Sequence, residues 1–176
     1  MRGSFLLITT RPGRERRAME EVLDAILIED PAAEGEPGKG HALIKLSRLR
    51  AEDAVRLIKR RTTSAVYRVV PLDVLIEEGD ARTVAEIAVK LALEKLPKGV
   101  TFRVRCRRRG RAIIENSEQF ERELGRRILE ACRDKHVIVR LKDPDYVVVV
   151  EVIGNRAGVG IVPRGLLLRL PTRWDG

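Results

Sequence analysis

The sequence predicts an α+β protein built from two lobes, and three observations carry that expectation. Short apolar runs bounded by Pro, Gly and charged residues alternate with segments whose apolar residues recur at helical spacing. The connections between them are short, which lays helices against one face of a small sheet. A stretch from Pro71 to Gly79 then separates a first set of elements from a second, giving lobes at residues 1–74 and 75–176.

In the first lobe, Ser4 to Thr10 is an apolar run ending at Arg11-Pro-Gly, a strand entering a turn. Met19, Val22, Leu23 and Ile26 recur at helical spacing and predict an amphipathic helix from Arg14 to about Ile28. Asp30 to Gly40, rich in Pro, Gly and Glu, reads as a loop. His41 to Leu46 predicts a second strand. Ala51 to Arg61 predicts a helix with Val55 and Ile58 inward, and Ala65 to Val70 a third strand closed by Pro71. Lys59, Arg60 and Arg61 have an ordinary explanation at a helix C-terminus, where cations complement the dipole. The order β-α-β-α-β describes a plait of ferredoxin-like kind, one strand short of the full βαββαβ unit.

In the second lobe, Asp80 caps a helix to about Leu96, with Val84, Ile87, Ala88 and Leu91 inward. Thr101 to Cys106 alternates apolar and cationic residues as a strand does, and spills into an arginine-rich turn. Asn116 or Ser117 caps a helix to about Arg133, striped by Phe120, Leu124, Ile128 and Cys132. His136 to Leu141 and Tyr146 to Ile153 predict two strands, the second buried on both faces because four valines run together. Gly154 to Ala157 is a turn, and Val159 to Val162 is a final strand. Leu166 to Leu170 reads as an extension of the sheet, favoured over a docking segment for a catalytic partner because leucine runs are usually core.

The basic strand is the most informative stretch. Between Lys95 and Ile114 lie eight cations and no acid. Phe102, Val104 and Cys106 point to a core, which leaves Arg103, Arg105 and Arg107 on the other face. With no carboxylate nearby in sequence, that charge suits a polyanion, and nucleic acid is the first candidate. The formal net charge of +9 agrees. Only six residues are aromatic, too few for stacking bases on an exposed sheet, so recognition should rest on phosphates and shape. One glutamine, two asparagines and abundant Arg and Glu hint at a thermophilic source.

Other chemistries are excluded one by one. No P-loop, dinucleotide fingerprint, HExxH, CxxC or calcium loop occurs, so neither cofactor nor metal is expected. Cys106 and Cys132 read as core residues. Asp143-Pro-Asp145 is a turn. No apolar run spans a bilayer and no leader is evident, which predicts a cytoplasmic protein with no membrane partner. His41 and His136, the only histidines, are the one pair able to serve acid–base cleavage of RNA.

From residue 75 onward the sequence resembles a THUMP domain. The resemblance rests on Thr101-Phe-Arg-Val-Arg-Cys-Arg-Arg-Arg-Gly110, on Ser117 to Gly125, on Val137-Ile-Val-Arg-Leu-Lys-Asp-Pro-Asp145, and on Val147 to Gly154. One departure is Asp143 before the proline, where many relatives carry Asn. The resemblance implies a ferredoxin-like lobe followed by a THUMP-like domain that grips the tRNA acceptor stem and its single-stranded 3′ CCA. It is similar to the stand-alone type, a non-enzymatic adaptor that presents tRNA to a separate modifying enzyme, first of all a tRNA cytidine N4-acetyltransferase. RNA-contacting residues are expected at Arg103, Arg105 and Arg107 on the strand and at Arg108, Arg109 and Arg111 in the turn. Lys135, Lys142 and Arg156 are expected to join them from loops. The rival readings are a small tRNA-processing nuclease using the two histidines and a structural component of a ribonucleoprotein.

Overall fold

Phe5, Leu6, Leu7 and Ile8 are all buried in β1 (Arg2–Thr9), and a strand covered on both faces belongs inside a sheet. β1 pairs antiparallel with β3 (His41–Leu46), Leu6 opposite Ile44. β3 carries β2 (Glu34–Gly38) on its other side, and β4 (Arg68–Ile76) completes the order β2-β3-β1-β4. Between the strands, α1 (Glu15–Ile26) buries Ala18, Val22, Ala25 and Ile26, and α2 (Ala51–Lys59) buries Ala51, Ala54, Val55 and Ile58. These positions lie three and four apart, as one face of a helix requires. The βαββαβ plait is therefore complete.

This computed structural model describes residues 2–61, 63–109 and 113–170. Its backbone divides into two compact units, Gly3–Leu72 with the chain from Gly165 onward, and Asp73–Arg164 with the N-terminal two residues. We refer to them as the N-terminal and central units.

Two features of the N-terminal unit depart from the sequence expectation. The missing strand of the plait is β2, Glu-Gly-Glu-Pro-Gly, inside the segment expected to be a loop. It has no apolar run to mark it. It pairs on one side only, where a proline costs no ladder bond. Gly38 suits this hairpin because a Cβ there would run into the His41 ring. The second departure is β4, which continues through Pro71 to Ile76. Its antiparallel pairs with β9 (Leu168–Arg169) end at Val69, and those with β8 (Arg156–Pro163) begin at Val74. Pro71 stands in the gap between the two partners. The tail thus adds to the sheet through Leu168, and the Leu170 N–H donates to the Tyr67 carbonyl at 3.0 Å. Asp30 ties the unit together from within. Its buried carboxylate accepts from the N–H groups of Ser47, Arg48 and Leu49 at 2.9–3.0 Å. Burial works against its charge, but the three donors outweigh it and hold its carboxyl below the usual range.

The central unit runs from the end of β4 through α3 (Ala81–Lys95), β5 (Thr101–Arg109), α4 (Ser117–Ala131), β6 (Ile138–Val139), β7 (Tyr146–Ile153) and β8. Its strands order as β4-β8-β7-β5-β6, with β5 parallel to both of its neighbours. Asp80 caps α3 by accepting from the Thr83 N–H, and Asn116 caps α4 by accepting from the Gln119 N–H. Phe102, Val104 and Cys106 pack with Val148, Val150 and Val152 against Ala88, Leu91, Leu124 and Ile128 in one core. Val149 is buried too, so β7 is covered on both faces as its valine run implied. Gly154 and Asn155 form a two-residue hairpin turn, Gly154 taking φ of 61° as the first turn position demands. Pairing resumes at Arg156, which places that residue in β8 and not in a loop. The segment after α4 also differs. Arg133–Lys135 is a short 3-10 helix ended by His136 in a left-handed conformation, and only Ile138 and Val139 of the expected strand pair with β5.

Candidate nucleic-acid interface

The alternation along β5 settles where its cations lie. Phe102, Val104 and Cys106 take the helix side, so Arg103, Arg105, Arg107 and Arg109 share the opposite face, each half-buried. Arg108 lies on the helix side beyond the core, exposed, and donates to the carbonyls of Ile114 (3.2 Å) and Glu115. Arg111 lies outside the described residues. The strand reaches Arg109, so Arg108 and Arg109 belong to it and not to a turn.

The face that looked uncompensated in sequence has a carboxylate on it. Glu151 of β7 sits opposite Arg107 in register, is 2% exposed, and lies 4.0 Å from Arg109. Arg105 and Arg107 are engaged as well. Burial, then the neighbouring Arg107 charge, lowers the Arg109 pKa. α4, the 3-10 helix and β6 separate this acid from the arginines along the chain, and parallel pairing removes the distance.

Most of the expected positions that are described fall toward one end or the other of β5, about 26 Å apart at about 3.3 Å per residue. At the C-terminal end stand Arg107, Arg108, Arg109 and Arg156, the last 3.9 Å from Glu77. At the N-terminal end stand Arg103, Lys135 and Lys142. Lys135 is committed to the fold, because its ammonium donates to the carbonyls of Leu93 and Leu96 at the end of α3. The Arg103 guanidinium donates to the Leu141 carbonyl at 2.9 Å and holds the β6–β7 connection against β5.

That connection is organised by Asp145. Its carboxylate accepts from both the N–H and the hydroxyl of Thr101 at 2.8 Å, and its own N–H donates to the Thr101 hydroxyl at 3.0 Å. These bonds, Thr101 first, lower its pKa, and Arg140 and Arg164 add to the effect. Asp143, two residues earlier, adopts φ of 49°. Asn and Asp tolerate that conformation best, so the Asp found here in place of Asn preserves the turn.

Around this clasp the exposed cations are Arg140, Lys142 and Arg164. None forms an ion pair among the described residues. Beside them β6 and the residues after it expose Ile138 (59%), Val139 (40%) and Leu141 (71%). Sequence reasoning found Lys142 but missed Arg140 and Arg164. The signal was present, since Arg140 lies within the resemblance and Arg164 follows the last predicted strand, but only the fold brings both to Asp145.

The histidines belong to different units. His41 is buried in the β2–β3 hairpin, its Nδ1 3.0 Å from the Lys39 carbonyl. His136 closes the 3-10 turn. Neither unit by itself holds both histidines.

The basic strand, the helix that starts at Ser117 and the Asp-Pro-Asp turn lie within one unit, and comparison with known proteins assigns that stretch. Residues 78–162 match the THUMP domain. That stretch therefore carries a THUMP domain, which implies RNA binding in tRNA modification. Its architecture is shared by TrmN from Thermus thermophilus, at 28% identity and TM-score 0.58 over 90% of this chain and 45% of that one. PH1313 from Pyrococcus horikoshii Ot3 shares it at 18% identity and TM-score 0.66, over 93% and 58%. A 4-thiouridine synthetase complexed with RNA and bound ATP shares it at 20% identity and TM-score 0.62, over 93% and 44%. The chain thus spans about half the length of these three proteins. No curated protein matches it by sequence. The expectation that the protein is not an enzyme does not stand, because the proteins of this architecture include an enzyme, the 4-thiouridine synthetase. No helix among the described residues is long and apolar enough to cross a membrane.

Proposed function

We propose that the protein grips the acceptor stem of tRNA and its single-stranded 3′ CCA, and presents that end for chemical modification. The observation that carries the reading is a THUMP domain whose exposed cations Arg140, Lys142 and Arg164 ring one end of the basic strand without ion-pair partners among the described residues. Exposed cations that form no close ion pair gain from meeting phosphate, because they break no such pair to do so. Arg103 sets the loop that carries Lys142, while Arg105, Arg107, Arg109 and Arg156 extend the positive surface along the strand and Arg108 adds charge on its helix side. Cytidine N4-acetylation is the modification to test first, with a tRNA acetyltransferase as the partner.

The test is equilibrium binding of a tRNA transcript against the same transcript lacking its 3′ CCA, across a salt series. Steep salt dependence with a clear loss on truncation is expected. Equal binding to both would overturn acceptor-end recognition and leave only generic cationic affinity.

A further inference from the structure

The strands of the central unit end on an edge with open backbone. β6 closes their order, pairing with β5 on one side and with no strand on the other among the described residues. The N–H groups of Ile138 and Arg140 donate inward, to the carbonyls of Val100 (3.1 Å) and Phe102 (2.8 Å). Successive residues of a strand turn their backbone groups to opposite sides, so the N–H and carbonyl of Val139 face outward. Farther along β5 the same side is capped, because the Cys106 N–H donates to the Glu121 carboxylate of α4 at 2.6 Å. The open stretch is therefore bounded at that end.

Apolar side chains flank this opening on both faces of the sheet. Ile138 is in register with Thr101 and Val139 with Phe102. Val139 therefore lies on the helix side, and Ile138 and Arg140 lie on the side of Arg103. Leu141 stands at the bend that follows. Ile138, Val139 and Leu141 are three of the eight large apolar side chains exposed among the described residues, and they fall within four consecutive positions. An exposed apolar edge is a template for a further strand. The charges select what that strand is. Arg140, Lys142 and Arg164 are exposed and form no ion pair among the described residues, while the Asp145 carboxylate between them is occupied by Thr101. The other acid of the loop, Asp143, leaves the cations in excess. A second copy of this chain, paired edge to edge, would bring like charges together, which costs stability. An acidic strand meets no such penalty.

We propose that β6 is a strand-addition site for an extended segment of another protein in which acidic and apolar residues alternate. The segment pairs its backbone with Val139 and so continues the sheet by one strand. Its acidic side chains lie on the face that carries Arg140, with their methylene stems against Ile138, and its apolar side chains cover Val139 on the other face. The period of two along a strand delivers both sets from one alternating sequence. The inference goes beyond the RNA reading and shares only Arg140, Lys142 and Arg164 with it.

The probe is a fluorescein-labelled peptide of alternating glutamate and valine, about eight residues long, titrated with the full chain and read by anisotropy. Control peptides alternate lysine with valine, alternate glutamate with serine, or carry a methyl group on every backbone nitrogen of the probe. The probe is expected to bind at least about tenfold more tightly than any control, and to slow hydrogen exchange at the Val139 amide. Val139→Pro removes the outward N–H and no bond to β5, and should abolish binding. I138S/L141S leaves the backbone donors in place and should weaken binding about tenfold, which keeps the test sharp if the proline variant misfolds. No binding, or equal binding of the glutamate–serine peptide, overturns the proposal. Loss of tRNA affinity in I138S/L141S, with no peptide bound, would give the apolar face to RNA; the proposal then falls and the RNA reading stands. A dimer in sedimentation that Val139→Pro dissolves would assign the edge to a second copy and overturn it equally.

Discussion

Replacing Arg140, Lys142 and Arg164 together by alanine isolates the charge proposed to meet RNA from the stability of the fold. All three side chains are exposed and none forms an ion pair among the described residues, so each loss should move stability by no more than about 0.5 kcal/mol. The Arg164 N–H bond to the Asp145 carbonyl, 2.8 Å, belongs to the backbone and survives. On a nucleic-acid duplex each neutralised phosphate contributes about 0.9 to the slope of log affinity against log salt, so three contribute about 2.7. Between ~50 mM and ~200 mM salt that difference amounts to about 40-fold: the unaltered protein should lose that much more affinity than the triple variant. Fluorescence anisotropy with a labelled tRNA transcript at several salt concentrations measures it directly. Two slopes that coincide, with the melting temperature unchanged, would refute the placement of the interface at this end of β5.

Asp30→Ala removes the acceptor for three amides and should cost about 2–4 kcal/mol, given about 1.5–3 for each bond to a charged group and exposure of two of the donors. Because the folded carboxyl titrates below its unfolded value, the stabilisation is present above the unfolded pKa and fades as pH falls through the folded one. The gap in melting temperature between Asp30→Ala and the parent should therefore shrink in acid, and a gap that stays constant through the acid range would contradict it. Leu124→Ala, at a fully buried position, should cost about 2–5 kcal/mol in a denaturant titration, and a loss below about 1 would mean the site is not core. Burial pushes the Cys106 thiol up to about 11 and raises that of Cys132, so neither should react with iodoacetamide at mildly alkaline pH until the protein is unfolded. His136→Gly relieves a left-handed residue and should raise stability by up to about 1 kcal/mol. A loss on that substitution would show the ring to be holding the turn.

Local pattern carried much of this protein. The caps at Asp80 and Asn116, the stripes of α3 and α4, the alternation of β5 and the doubly buried β7 are each written in a few consecutive residues, because helix and strand periods act over that range. The THUMP domain was legible for the same reason. What tertiary structure alone decided concerns partners. β2 exists because β3 offers it an edge and not because Glu34 to Gly38 favour a strand. β4 passes through Pro71 because its neighbour changes there. The exposed positive charge followed the same logic. Glu151 was invisible beside Arg107 until β7 paired with β5, and that pairing left Arg140, Lys142 and Arg164 as the exposed cations around Asp145. Sequence determines which residues are charged and which way they face, but neutralisation acts through space, so only the fold could say which charges stay free.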